Sequence, residues 1–103
     1  MMRPKKLQIL GKNYAVQFVN PAPLADDEHQ DCGRCLDSEQ RILVQYDLPP
    51  ELERDTVLHE TIHAIDYVLQ LELTERQVSV LASGLLAVLK ANPSLAPYLV
   101  GKK

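Results

Sequence analysis

The sequence predicts an α+β fold, a small three-stranded antiparallel sheet packed on two long antiparallel helices. Three observations predict it. The first half of the chain holds short β-rich runs separated by turn formers. From Glu51 to about Leu71, apolar residues recur at helical spacing. Thr74, a few residues further on, opens a second helical stretch with its own start signal.

Leu7–Leu10 and Tyr14–Val19 read as the two strands of a hairpin. Gly11-Lys12-Asn13 supplies a three-residue loop that tolerates positive φ. Asn20-Pro21-Ala22-Pro23 ends the second strand, and residues 20–39, with Asp26-Asp27-Glu28, read as a loop. Arg41–Tyr46 is the third strand, and its edge offers a place for an extended peptide to add as a further strand. Pro49-Pro50 breaks it and opens the first helix, where Glu51 suits the positive end of the dipole. Leu58, Ile62, Ile65 and Leu69 form its apolar stripe. In the second helix, Thr74 and Gln77 have capping-box spacing. Val78, Leu81, Leu85 and Leu89 mark its apolar face, and Ala82 and Gly84 are small enough for close approach of the first helix. Asn92-Pro93 stops it, leaving Ser94–Val100 for one short turn. The brief connection at 72–74 makes the two long helices antiparallel neighbours.

A length of 103 residues suits one domain covering 1–103. Hydrophobic residues make up 46% and aromatics only 5%, with no Trp, so the core is aliphatic. The net charge of −3 and the scattered Lys and Arg argue against a nucleic-acid partner. No run approaches the roughly 20 apolar residues of a membrane span, and no apolar run follows the basic start Met1–Lys6 as in a signal peptide. The expected location is therefore cytoplasmic, with no membrane partner.

The chemistry concentrates in His59-Glu60-Thr61-Ile62-His63, an H-E-x-x-H inside the first helix. Histidines four apart lie one turn above each other on one face, so both imidazoles can reach one ion. Zn²⁺ accepts neutral imidazole nitrogen at about 2.0–2.1 Å. Glu60 stands where it can take a proton from a water activated by that ion. Asp66 and Gln70 continue the polar stripe one position over from the apolar one. Cys32-Gly33-Arg34-Cys35, with His29 three residues before, looks like half of a zinc-ribbon site whose other half is missing. The pair precedes a strand rather than opening a helix, and reads as ordinary loop cysteines, reduced in a cytoplasmic chain.

The motif with its flanks, Glu53 through Ile65, resembles the zincin superfamily of metallopeptidases. Together with the hairpin, the strand ending Ile-Leu-Val and the stretch Ala82–Pro93, it is most similar to small metallopeptidases encoded by phages and prophages. More distantly it is similar to the ImmA/IrrE-type peptidases, which act on repressors. The resemblance implies a minimal zincin-like domain and a zinc-dependent metalloendopeptidase, with Zn²⁺ on His59 and His63, Glu60 as general base, and a protein or peptide substrate. For a phage-encoded protein the site of action is the host cytoplasm. A catalytically inactive zincin-like module that binds metal or protein is the alternative, and a regulatory phage protein with incidental histidines is a third.

The third ligand departs from the better-known zincins. Where a carboxylate on the following helix completes their site, this chain carries Ser79, Ser83 and Gly84, and no Asp, Glu, His or Cys follows Glu75. The remaining choices are Asp66, Glu72, Glu75 or a residue from 26–47. Glu75 is taken as the third ligand, with Asp66 the alternative. If the first helix ran to Leu71, Glu75 would stand roughly 12 Å along the axis from His63. It serves only if that helix ends early or the second crosses it. Otherwise Glu75 is an acid at a helix N-terminus, and Asp66 a partner for an imidazole N–H.

Overall fold

Alternating residues of β1 (Lys6–Ile9) and β2 (Lys12–Val19) point to one buried face, and the strands pair antiparallel with Ile9 opposite Lys12. The turn between them has two residues, not three. Leu10 (φ 51°) and Gly11 (φ 87°) both take positive φ, the twist that matches a tight hairpin. The computed structural model describes residues 2–20 and 32–102. Asp26, Asp27, Glu28 and His29 lie outside the described residues.

The sheet differs from the expected three antiparallel strands. It has four, in the order β1-β2-β4-β3, and it is mixed. The additional strand is β3 (Gly33–Leu36), inside the stretch expected as loop. A turn at Asp37–Glu39 and a left-handed Gln40 fold it back antiparallel onto β4 (Arg41–Gln45). β4 in turn pairs parallel with β2, from Ala15 opposite Arg41 to Val19 opposite Gln45. Arg41–Gln45 therefore has a strand on each side and cannot accept an added peptide. Among the described residues, β3 is the outer strand at that end.

α1 (Pro50–Leu69) is the middle layer. On one side the sheet packs on it through Ile9, Tyr14, Val16, Ile42, Val44 and Ala64. On the other, Ile62 meets Val78 and Ala82 of α2 (Glu75–Ala91), with Leu58 and Leu73 alongside. Burying each large side chain contributes about 1.5–3 kcal/mol. The stripe expected to be one core face is thus divided: Leu58 and Ile62 serve α2, Ile65 serves the sheet, and Leu69 is exposed.

The capping box forms as expected. Thr74 Oγ1 accepts from the Gln77 N–H, and the Gln77 side chain accepts from the Thr74 N–H. The buried face of α2 is only partly the expected one, since Val78 and Ala82 pack as expected and Leu89 is half-buried. Val78 and Ala82 are fully buried, whereas Leu81 and Leu85 are exposed and Gly84 has open space beside it. Across the antiparallel pair Lys90 meets Glu51 and Ser83 meets Asp55, and the 78–82 edge faces inward. Leu95–Leu99 makes a last short helix, α3. No helix among the described residues is long and apolar enough to cross a membrane.

Candidate metal centre

Glu75 reaches the histidines because α1 stops at Leu69, two residues earlier than the spacing predicts. Gln70 caps it at φ 55° in the left-handed region, and its N–H donates to the Asp66 carbonyl at 2.7 Å. Glu72 is left-handed too, at φ 59°. These two reversals turn the chain back within a few residues, and α2 begins at Glu75. The Asp66 carboxylate takes part in this turn: its Oδ1 accepts the Leu73 N–H at 3.4 Å. It serves the connection instead of the histidines, and Glu72 does not join them either.

His59 Nε2 and His63 Nε2 stand 3.1 Å apart. Glu75 Oε1 lies 2.7 Å from the first and Oε2 3.0 Å from the second. Among the described residues, these three form the group whose donor atoms converge, all within 4.8 Å of one another. Donors 2.0–2.1 Å from a tetrahedral ion are about 3.3 Å apart. The two histidine nitrogens, at 3.1 Å, stand close to that spacing, and Glu75 meets each of them with a different carboxylate oxygen, so the side chains must rotate for one ion to touch all three. Two imidazoles and one carboxylate with a further position open is also a donor set zinc accepts in catalytic sites. The residues present therefore fit the metal that the sequence predicts.

Glu60 is buried at 5% exposure, yet it lines the same cleft as the three donors. β3 makes this position. A Cβ at Gly33 would lie 2.6 Å from Thr56 Cγ2, 3.0 Å from the Leu43 carbonyl oxygen and 3.2 Å from Glu60 Cγ. Only glycine lets the strand pass this close over α1. The cleft of about 570 Å³ runs between β3 and α1, with Glu75 at its edge.

Cys32 and Cys35 also line the cleft and are not joined in a disulfide. An extended run of three residues covers about 10 Å, beyond the roughly 7 Å that a disulfide can bridge. Neither cysteine belongs to the converging donor group. Burial, then the nearby charges of Glu60 and Asp37, push the Cys35 thiol from 9.0 up to about 12. Cys35 packs against the sheet cluster as a neutral apolar group.

Several cleft residues carry no role in the sequence reading, among them Asp55, Thr56, Tyr67 and Arg34. Tyr67 follows His63 by one turn, a spacing that could have flagged it, and burial raises its phenol pKa. Arg34 lines the cleft from β3, so its placement depends on a strand that the sequence did not announce. Compared with known protein families, characterised proteins and solved structures, the chain matches none.

Proposed function

We propose that this chain is a zinc-dependent peptidase of the zincin type, with His59, His63 and Glu75 as the metal ligands and Glu60 as the general base. The observation that carries the reading is the convergence of Glu75 on two histidines one helical turn apart, at 2.7 and 3.0 Å, beside a cleft that Glu60 also lines. A chain that used these residues only for surface polarity would gain little from pointing three donors at one spot, since exposed ion pairs contribute about 0–1 kcal/mol.

Zinc held there supplies a Lewis acid for the scissile carbonyl and lowers the pKa of water. The remaining work falls to the chain. Glu60 takes a proton from the attacking water as its oxygen bonds to the carbonyl carbon, then delivers that proton to the amide nitrogen as the C–N bond breaks. Burial beside Thr56 and under Gly33 restrains the Glu60 side chain, which limits the reorganisation before proton transfer. In this reading the substrate is an extended peptide. The outer strand β3 offers it main-chain hydrogen bonds along the cleft, the role that Arg41–Gln45 cannot fill.

The test is turnover of a peptide library and of unfolded protein by zinc-loaded wild type and by Glu60→Gln. The amide is nearly isosteric and cannot take the proton. The expected result is an unchanged fold and zinc content with a rate lower by about 10²–10⁴-fold. Equal rates would remove Glu60 from the mechanism. A wild type that holds zinc and cleaves nothing would make the chain a metal- or protein-binding module.

A further inference from the structure

One face of α2 has no partner among the described residues. Gln77, Leu81, Gly84, Val88 and Ala91 follow one another by four, three, four and three, the spacing of a coiled-coil seam. All five are exposed. Val80 and Leu85 flank the seam, and residues 77–89 carry no charge. A helix that is apolar nearly all round is normally buried on more than one side, but among the described residues the buried contact of α2 is with α1, through Val78 and Ala82.

Gly84 sits in the middle of this seam. Glycine in a helix interior costs about 1 kcal/mol relative to alanine, and here it relieves no contact, because a Cβ would meet nothing within 4 Å. A glycine at the centre of an exposed apolar seam is what two helix backbones need to approach closely.

We propose that the chain is a twofold homodimer through α2, with the two Gly84 residues crossing near the axis. Val80, Leu81, Leu85 and Val88 are 45–54% exposed. A standard interface takes about 800 Å² from each partner, and the exposed apolar side chains of α2 supply part of that. A second copy is the occupant this face fits. A twofold contact needs a surface complementary to itself, and an uncharged helix seam meets that condition. Two chains of net charge −3 repel least where they present no charge. A foreign protein would find no charges to orient it. A membrane-surface helix would carry several flanking cations, whereas α2 has Arg76 and Lys90, the latter paired with Glu51. Glu75 lies nine residues before Gly84, two and a half turns away and so on the opposite side of α2. The dimer therefore leaves the cleft open, and the inference does not depend on the peptidase reading.

The experiment is the solution mass of the full chain by light scattering and sedimentation, for wild type, Leu85→Glu and Gly84→Leu. Wild type is expected at twice the 11.6 kDa chain mass. Both variants are expected at the chain mass with unchanged helical circular dichroism. Gly84→Leu guards against misfolding, since a Cβ there meets nothing within 4 Å in one copy and leucine favours helix. A wild type at 11.6 kDa at every concentration tested would overturn the proposal, as would folded variants that stay dimeric. Flotation of monomeric wild type with phosphatidylglycerol vesicles would overturn it in favour of a lipid surface.

Discussion

Gly33 of β3 lies so close to Glu60 of α1 that a Cβ at Gly33 would stand 3.2 Å from Glu60 Cγ. The same Cβ would meet Thr56 Cγ2 at 2.6 Å and the Leu43 carbonyl oxygen at 3.0 Å, so no single side-chain rotation makes room. Gly33→Ala should therefore lift β3 off α1, costing about 1–3 kcal/mol as other overpacked sites do. It should also loosen the seat of Glu60. Urea unfolding measures the cost, and an unchanged midpoint would show that the strand does not press on the helix.

Asp66 gives a second prediction. Its carboxylate accepts the Leu73 N–H and helps set the turn that brings Glu75 back to the histidines. Asp66→Ala should weaken zinc binding, because the turn that carries Glu75 loses one of its supports, while the fold survives. Glu75→Ala should cost more, because a donor itself is removed. Competition with a zinc chelator separates the two. An Asp66→Ala loss as large as that of Glu75→Ala would make Asp66 a ligand.

The unequal legibility of these residues has physical causes. His59, Glu60 and His63 are close in sequence on one helix, and the Thr74–Gln77 cap is a local hydrogen-bond pattern, so both could be read directly. β3 could not. Gly33-Arg34-Cys35-Leu36 lacks β-branched residues and is bordered by turn formers. It is a strand because β4 pairs with it and because α1 accepts a bare glycine there. The parallel β2–β4 pairing depends on contacts far apart in sequence, which periodicity does not encode. Glu75 was within reach as a candidate, but its placement required left-handed Gln70 and Glu72, residue types that do not advertise that conformation. On α2 the sequence offered more apolar positions than α1 can cover, and so did not say which edge turns inward.

Tyr14 and Asp37 predict an acid dependence. The buried Tyr14 hydroxyl donates to Asp37 Oδ1 at 2.6 Å, and Lys12 approaches the same oxygen at 3.3 Å. The Tyr14 hydrogen bond foremost, then Lys12, holds the Asp37 carboxyl below its ordinary 3.8. A depressed carboxyl pKa contributes stability that is present above the ordinary value and lost as pH falls through the folded one. Tyr14→Phe should cost about 1–2 kcal/mol at neutral pH. The gap from wild type should shrink as the pH drops below about 4. A gap independent of pH would assign the loss to packing alone.

Cys35 predicts an alkaline counterpart. With its thiol pushed from 9.0 to about 12 by burial and by Glu60 and Asp37, it stays protonated across the neutral range. A raised thiol pKa contributes stability below the ordinary value that is lost as pH rises through the folded one, so the sensitive window lies between 9.0 and about 12. Iodoacetamide should label Cys35 slowly in the native protein and much faster in urea, read by peptide mass spectrometry. Equal native and denatured rates at pH 8 would mean that the thiol is neither buried nor perturbed.

X-ray absorption at the zinc edge of the loaded wild type tests the metal centre most directly, because it reports ligand type and distance together. With His59, His63 and Glu75 as the protein donors, the first shell should contain only nitrogen and oxygen at about 2.0–2.1 Å, with the outer scattering of imidazole. One zinc should bind per chain and be lost in the double variant His59→Ala/His63→Ala. Sulfur at about 2.3 Å, retained in that double variant, would put the metal on Cys32 and Cys35 and contradict the account.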